Sequence, residues 1–202
     1  MDSGRREMNV RFSYAASFLM SLLNGLFTPI VPLLGLSMGA SQIELGFIGS
    51  ATFLVYIPLS FIAGKLALRF GKRILLAASA LTYSLACLLY FTSSSPLHLM
   101  GARLVDGIGM ALLWPAVEAL LAESAGLGGP EMVSNFGVAW SLGAAAGALG
   151  SSWFLGIGGY RDAFLPGMVM SLCLCVAALA FVSISREERN ETNDMGNEAE
   201  PP

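Results

Sequence analysis

With 202 residues, 55% of them hydrophobic and only 12% charged, and a mean hydropathy of +0.68, the chain has the composition of a protein whose solvent is lipid, which excludes an ordinary soluble domain. The net charge of -3 reflects the C-terminal stretch, where Glu187, Glu188, Glu191, Asp194, Glu198 and Glu200 are gathered out of 14 acids, and it gives no signal for nucleic acid. Cys87, Cys173 and Cys175 lie in apolar runs, and the last two would point about 200° apart on a helix, so neither a disulfide framework, a metal site nor a cofactor is expected.

The N-terminal residues 1–11 are basic through Arg5, Arg6 and Arg11 and lead directly into an apolar run at 12–34. That run continues through Pro29 and Pro32 without a small-residue cleavage pattern, so it reads as an uncleaved span rather than a signal peptide. Five more runs follow at 43–63, 74–91, 97–121, 133–155 and 163–184, each near the ~20 residues that a hydrocarbon core requires. The connections at 35–42, 92–96, 123–131 and 156–162 are short and rich in Gly, Ser and Pro. The expected fold is an all-α integral membrane domain over 12–185, a six-helix transmembrane bundle, with a disordered acidic tail at 186–202.

Residues 64–73 hold Lys65, Arg69, Lys72 and Arg73 between two apolar runs. A cation at mid-depth costs several kcal/mol, so these residues are expected at a membrane surface, between one helix and the next. With the N-terminus inside, Arg5, Arg6, Arg11, Lys65, Arg69, Lys72, Arg73, Arg186 and Arg189 share one side, Arg161 stands alone on the other, and Arg103 falls within the fourth span. The positive-inside rule then predicts that both termini are cytoplasmic.

Glycine, 23 residues in all, is concentrated in the fourth and fifth spans at Gly101, Gly107, Gly109, Gly137, Gly143, Gly147 and Gly150. Gly143 and Gly147 have GxxxG spacing, which lets a neighbouring helix approach closely. Close packing is the first reading of these glycines, and helix rocking would require that packing.

The fourth span also carries the residues most expensive to place in a membrane. Arg103 and Asp106 are three apart, about 60° on a helix, and can pair; Glu118 lies about 22 Å beyond Arg103 along the axis. Ionisable groups at this depth mark a transport path, tie helices together, or reach the interface. Asn24, with Thr28, Pro29 and Pro32 after it, makes the first helix a candidate cavity wall. Tyr56, Trp114 and Trp140 are substrate-contact candidates, although such residues more often serve helix packing or interfacial anchoring. His98 is the single histidine and no GxSG nucleophile motif is present, so a serine-type intramembrane protease, and enzymatic function generally, is not expected.

These residues resemble two motifs of the major facilitator superfamily. Gly64, Leu66, Ala67, Arg69, Gly71, Lys72 and Arg73 are similar to that family's loop pattern GxLaDRxGRK, with Lys72 and Arg73 in swapped order and Leu68 where the acid stands. Leu99, Arg103, Gly107, Gly109 and Ala111 are similar to its fourth-helix pattern LxxxRxxqGxGaa, with Asp106 in place of glutamine. Gly159, Tyr160, Arg161 and Phe164 resemble the short turn before its sixth helix, and the run around Gly143 and Gly147 is a weaker match to an antiporter glycine motif that contains a proline this chain lacks.

The resemblance implies the N-terminal half of an alternating-access carrier in a cell membrane, built of two three-helix repeats, with the first and fourth helices lining a cavity for a small molecule. It implies a cytoplasmic gate at Gly64, Arg69, Gly71, Lys72 and Arg73, a gate that Leu68 leaves without its acid. Asn24, Arg103, Asp106, Trp114, Glu118 and Trp140 are the substrate or coupling candidates, proton coupling among the possibilities. A complete family member has twelve helices, so three readings stay open: a homodimer, a partner supplying a second half, or a truncated, non-transporting remnant or regulatory subunit.

Overall fold

The computed structural model describes residues 3–124, 129–157 and 159–182; the expected acidic tail lies outside them. Among the described residues, six α-helices are long and apolar enough to cross a membrane: α1 Ser3–Ser37, α2 Gln42–Phe70, α3 Lys72–Thr92, α4 Pro96–Ser124, α5 Gly129–Gly156 and α6 Phe164–Phe181. Helices satisfy every backbone group within the segment, which lipid cannot do.

Several helices outrun the apolar stretches. α2 begins on a capping box, where the Ser41 amide donates to Glu44 Oε2 at 2.8 Å and the Glu44 amide donates to Ser41 Oγ at 3.3 Å. It then continues to Phe70, so Lys65 and Arg69, expected in a loop, lie instead on its last turns. Helical hydrogen bonding continues out of the apolar layer because nothing at 64–70 interrupts it. The whole connection to α3 is Gly71, at φ 81° and ψ 147°, a backbone region that L side chains rarely adopt.

α1 packs along α5 and against α4, α2 along α4, and α3 along both α4 and α6, with α1 also meeting α6. Advancing each helix by three maps α1 on α5 to α4 on α2, and α3 on α4 to α6 on α1, the symmetry of two three-helix repeats. Glycines open the two long contacts. A Cβ at Gly143 would overlap the Phe18 carbonyl and one at Gly147 the Leu22 carbonyl, while one at Gly107 would overlap the Thr52 carbonyl on α2. Backbones therefore approach closely, with van der Waals packing in place of a hydrophobic driving force.

Polar contacts tie neighbouring helices together at the bundle's two ends. The Tyr14 hydroxyl near the start of α1 donates to Met132 O near the start of α5 at 3.2 Å, and Arg73, just after Gly71, donates to Leu179 O in the last turn of α6. At the other end Arg161 donates to Ser93 O at 2.7 Å and to Phe91 O at 3.4 Å, holding the carbonyls that end α3. Phe27, Tyr90 and Phe164 join α1, α3 and α6 there, with ring centroids 5.0 to 6.0 Å apart. α2 and α5 turn apolar side chains outward, Phe61 being 78% and Leu149 76% exposed, as a lipid-facing surface requires.

Candidate functional site

α4 places Arg103 and Asp106 on adjoining turns and the structure brings them together, Arg103 Nη1 to Asp106 Oδ2 at 3.1 Å, with side chains 11% and 3% exposed. The pair is turned toward α3. The Tyr90 hydroxyl donates to the same Oδ2 at 2.9 Å, and the Arg103 guanidinium lies 5.9 Å from the Tyr90 ring centroid. Asp106 Oδ1 and Arg103 Nε make no hydrogen bond among the described residues.

Local sequence explains the docking. Gly107 admits the α2 backbone, and Thr52 Oγ1 donates to Arg103 O at 3.2 Å. Gly109 lies under the Tyr83 ring, where a Cβ would stand 3.0 Å from Cδ2, and Ser79 Oγ donates to Gly109 O at 2.8 Å. A buried pair of this kind is costly to break from one side, because the remaining charge is stranded. Tyr90 was missing from the sequence-derived candidates. A tyrosine near the end of an apolar run carries no local mark of a carboxylate partner on the next helix.

A second group lies where α4 meets α1 and approaches α5. Asn24 Nδ2 stands 3.8 Å from Met110 Sδ, and Thr28 Oγ1 donates to Asn24 O at 2.7 Å. One turn beyond Met110, Trp114 meets Phe136 of α5 edge-on, ring centroids 6.3 Å apart. Glu118, a further turn on, is exposed, as is Trp140, one turn beyond Phe136. Phe136, too, was absent from the candidates. Tyr56 stands apart on α2, its ring 6.5 Å from Phe53. The candidates thus divide into a sealed α3–α4 pair and an open strip along α1, α4 and α5.

The cationic corner is a third group. Gly64 and Lys65 are exposed, Arg69 lies over the Phe70 ring at 5.4 Å, and Lys72 is buried and engaged. With Arg73 bound to a terminal carbonyl of α6, where a cation complements the helix dipole, the corner is tied to the bundle on one side and open on the other. Two cavities open at the Ser93 end: one of about 550 Å³ beside His98, whose Nδ1 is 3.0 Å from Ser94 Oγ, and one of about 410 Å³ between Ser37 and Arg161. Neither contains Asn24, Arg103, Asp106, Trp114, Glu118 or Trp140. Among the described residues no cluster of three His, Cys, Asp or Glu could hold a metal ion.

The family model described as Major Facilitator Superfamily matches residues 14–201. The chain is 35% identical to the multidrug resistance protein B homolog of Mycobacterium tuberculosis (strain CDC 1551 / Oshkosh) over 123 residues, 59% of this chain and 22% of that protein. It is 28% identical to the 4-hydroxybenzoate transporter PcaK of Pseudomonas aeruginosa over 171 residues, 80% of this chain and 37% of that one. It is 24% identical to the quinolone resistance protein NorA of Staphylococcus aureus (strain Mu50 / ATCC 700699) over 171 residues, 84% and 42% respectively. The chain therefore spans less than half the length of these curated relatives.

Proposed function

The chain belongs to the Major Facilitator Superfamily, and from that premise we propose that it is the N-terminal half of a secondary carrier, a multi-pass membrane protein moving a small organic molecule by alternating access. The observation that carries this reading is the Arg103–Asp106 pair at 3.1 Å inside α4, together with the exposed Glu118 on the same helix. Charges at membrane depth are retained at a cost that a transport path repays. Nothing in this arrangement calls for enzymatic chemistry.

A carrier's path runs between two halves, so this half works against a second six-helix half, the open strip of α1, α4 and α5 facing it. The termini and the Gly64, Arg69, Gly71, Lys72 and Arg73 corner are cytoplasmic in this reading, in the cell membrane, and proton coupling resides in the Arg103–Asp106 pair.

Mass measurement of the purified complex, followed by solute uptake into reconstituted vesicles, tests the proposal. Uptake driven by a proton gradient and abolished by Arg103→Ala or Asp106→Ala is the expected result. Normal uptake by the double variant would remove the pair from the mechanism, and absence of uptake of any solute would count against the carrier reading.

A further inference from the structure

Residues 64–73 carry Lys65, Arg69, Lys72 and Arg73 and no acid, position 68 being leucine. Lys65 and Arg69 lie exposed on the last turns of α2, Arg73 lies in the first turn of α3, and Gly71 is the whole connection between the two helices. A turn one residue long thus gathers the cations at one corner of the bundle, where like charges repel unless an anion lies among them. Lys72 is buried and engaged, so Lys65 and Arg69 are the cations that face outward.

The same corner is where α6 ends. Arg73 donates to Leu179 O, three residues before Val182, where the helix stops as its backbone turns extended. The chain that follows, 183–202, lies outside the described residues; it holds Glu187, Glu188, Glu191, Asp194, Glu198 and Glu200 against Arg186 and Arg189. Its net side-chain charge of four negative units matches the four positive units at 64–73, and its composition is that of chain that stays solvated. At up to about 3.6 Å per residue, the five residues from Val182 to Glu187 span as much as about 18 Å. Arg69 stands only four residues from Arg73 across Gly71, and Lys65 is about 6 Å further along α2. The first acids therefore reach every exposed cation, and the tether holds them there at an effective concentration in the millimolar range.

We propose that the acidic segment 187–200 docks on the corner formed by Lys65, Arg69 and Arg73, as an intramolecular counter-charge that ties the end of α6 to the α2–α3 turn. The tether and the matched charge select this segment over a free anion, and the contact does not depend on the carrier reading.

The full chain, one copy per phosphatidylcholine nanodisc, is treated with a water-soluble carbodiimide, which joins a lysine amine to a carboxylate only where the two touch. Mass spectrometry then maps the products, with acetylation of Lys65 as the reference for its reactivity. Cross-links from Lys65 to Glu187, Glu188, Glu191 or Asp194 within one chain are expected. Their yield should fall about fivefold or more between about 0.01 M and about 1 M salt, as the Debye length shrinks from about 30 Å to about 3 Å. Arg69→Gln, which leaves Lys65 in place to report, should lower it about twofold or more without moving the melting temperature. Absence of these cross-links, or a yield indifferent to both salt and Arg69→Gln, overturns the proposal. Discs containing phosphatidylglycerol test the other occupant. Lys65 shielded from acetylation by that lipid, with no tail cross-link in either kind of disc, would assign the corner to anionic headgroups and overturn the docking; a cross-link present in phosphatidylcholine and lost on adding phosphatidylglycerol sustains it and makes the lipid a competitor.

Discussion

Tyr90 on α3 and Arg103 on α4 donate to the same oxygen of Asp106, at 2.9 and 3.1 Å. One carboxylate oxygen thus joins an ion pair within α4 to the packing of α4 on α3. Because the Tyr90 ring also stacks on Phe164 of α6 and meets Phe27 of α1, the charge pair is linked to three neighbouring helices through one side chain.

Removing either member of the pair strands the other in the bundle. Arg103→Ala or Asp106→Ala alone is expected to destabilise the protein by roughly 3–5 kcal/mol, and Arg103→Met with Asp106→Leu by less than either. Thermal unfolding of the purified protein in detergent reads this directly. A double variant that loses the sum of the single effects would mean that the two charges are not coupled.

Tyr90→Phe keeps the ring contacts and deletes one hydrogen bond to a charged group. The expected loss is about 1.5–3 kcal/mol, smaller than the loss on removing Asp106. A variant as stable as the parent would mean that the hydroxyl contributes nothing to holding α3 on α4.

Gly147→Ala forces a Cβ onto the Leu22 carbonyl, a backbone atom that cannot swing aside, whereas Gly137 has nothing within 4 Å of an added Cβ. The first substitution is expected to cost about 1–3 kcal/mol and to slow disulfide formation between cysteines placed at facing positions of α1 and α5. Gly137→Ala should do neither. Equal behaviour of the two variants would contradict the close approach.

Sidedness is tested by single thiols introduced into a cysteine-free parent. A cysteine at Lys65 should resist a membrane-impermeant maleimide in intact cells and react once the cells are opened, while one at Ser94, at the other end of the bundle, should react from outside. The opposite pattern would invert the chain.

The spans were legible because lipid imposes a rule that one sequence can reveal on its own: a helix that satisfies its own backbone in hydrocarbon needs apolar side chains over about 20 residues. Helix ends were less legible, as Lys65 and Arg69 illustrate. Hydropathy marks where the apolar layer ends, whereas α2 ends only at Gly71, where the backbone turns. The Arg103–Asp106 pairing could be read from a spacing of three residues on one helix; Tyr90 could not, being 16 positions from Asp106 and on another helix.

The sequence by itself determined a six-span membrane protein, a family, and a fourth helix carrying costly charges, because composition, span length and local motifs are written along the chain. Only the tertiary structure decided which charges are neutralised and which stay open. Arg103 and Asp106 are sealed against Tyr90, while Glu118 remains exposed beside Trp114 and Phe136. That division depends on the rotation and register of α4 against α1, α3 and α5, set by close backbone approaches at glycines such as Gly107, and no property of α4 alone encodes it.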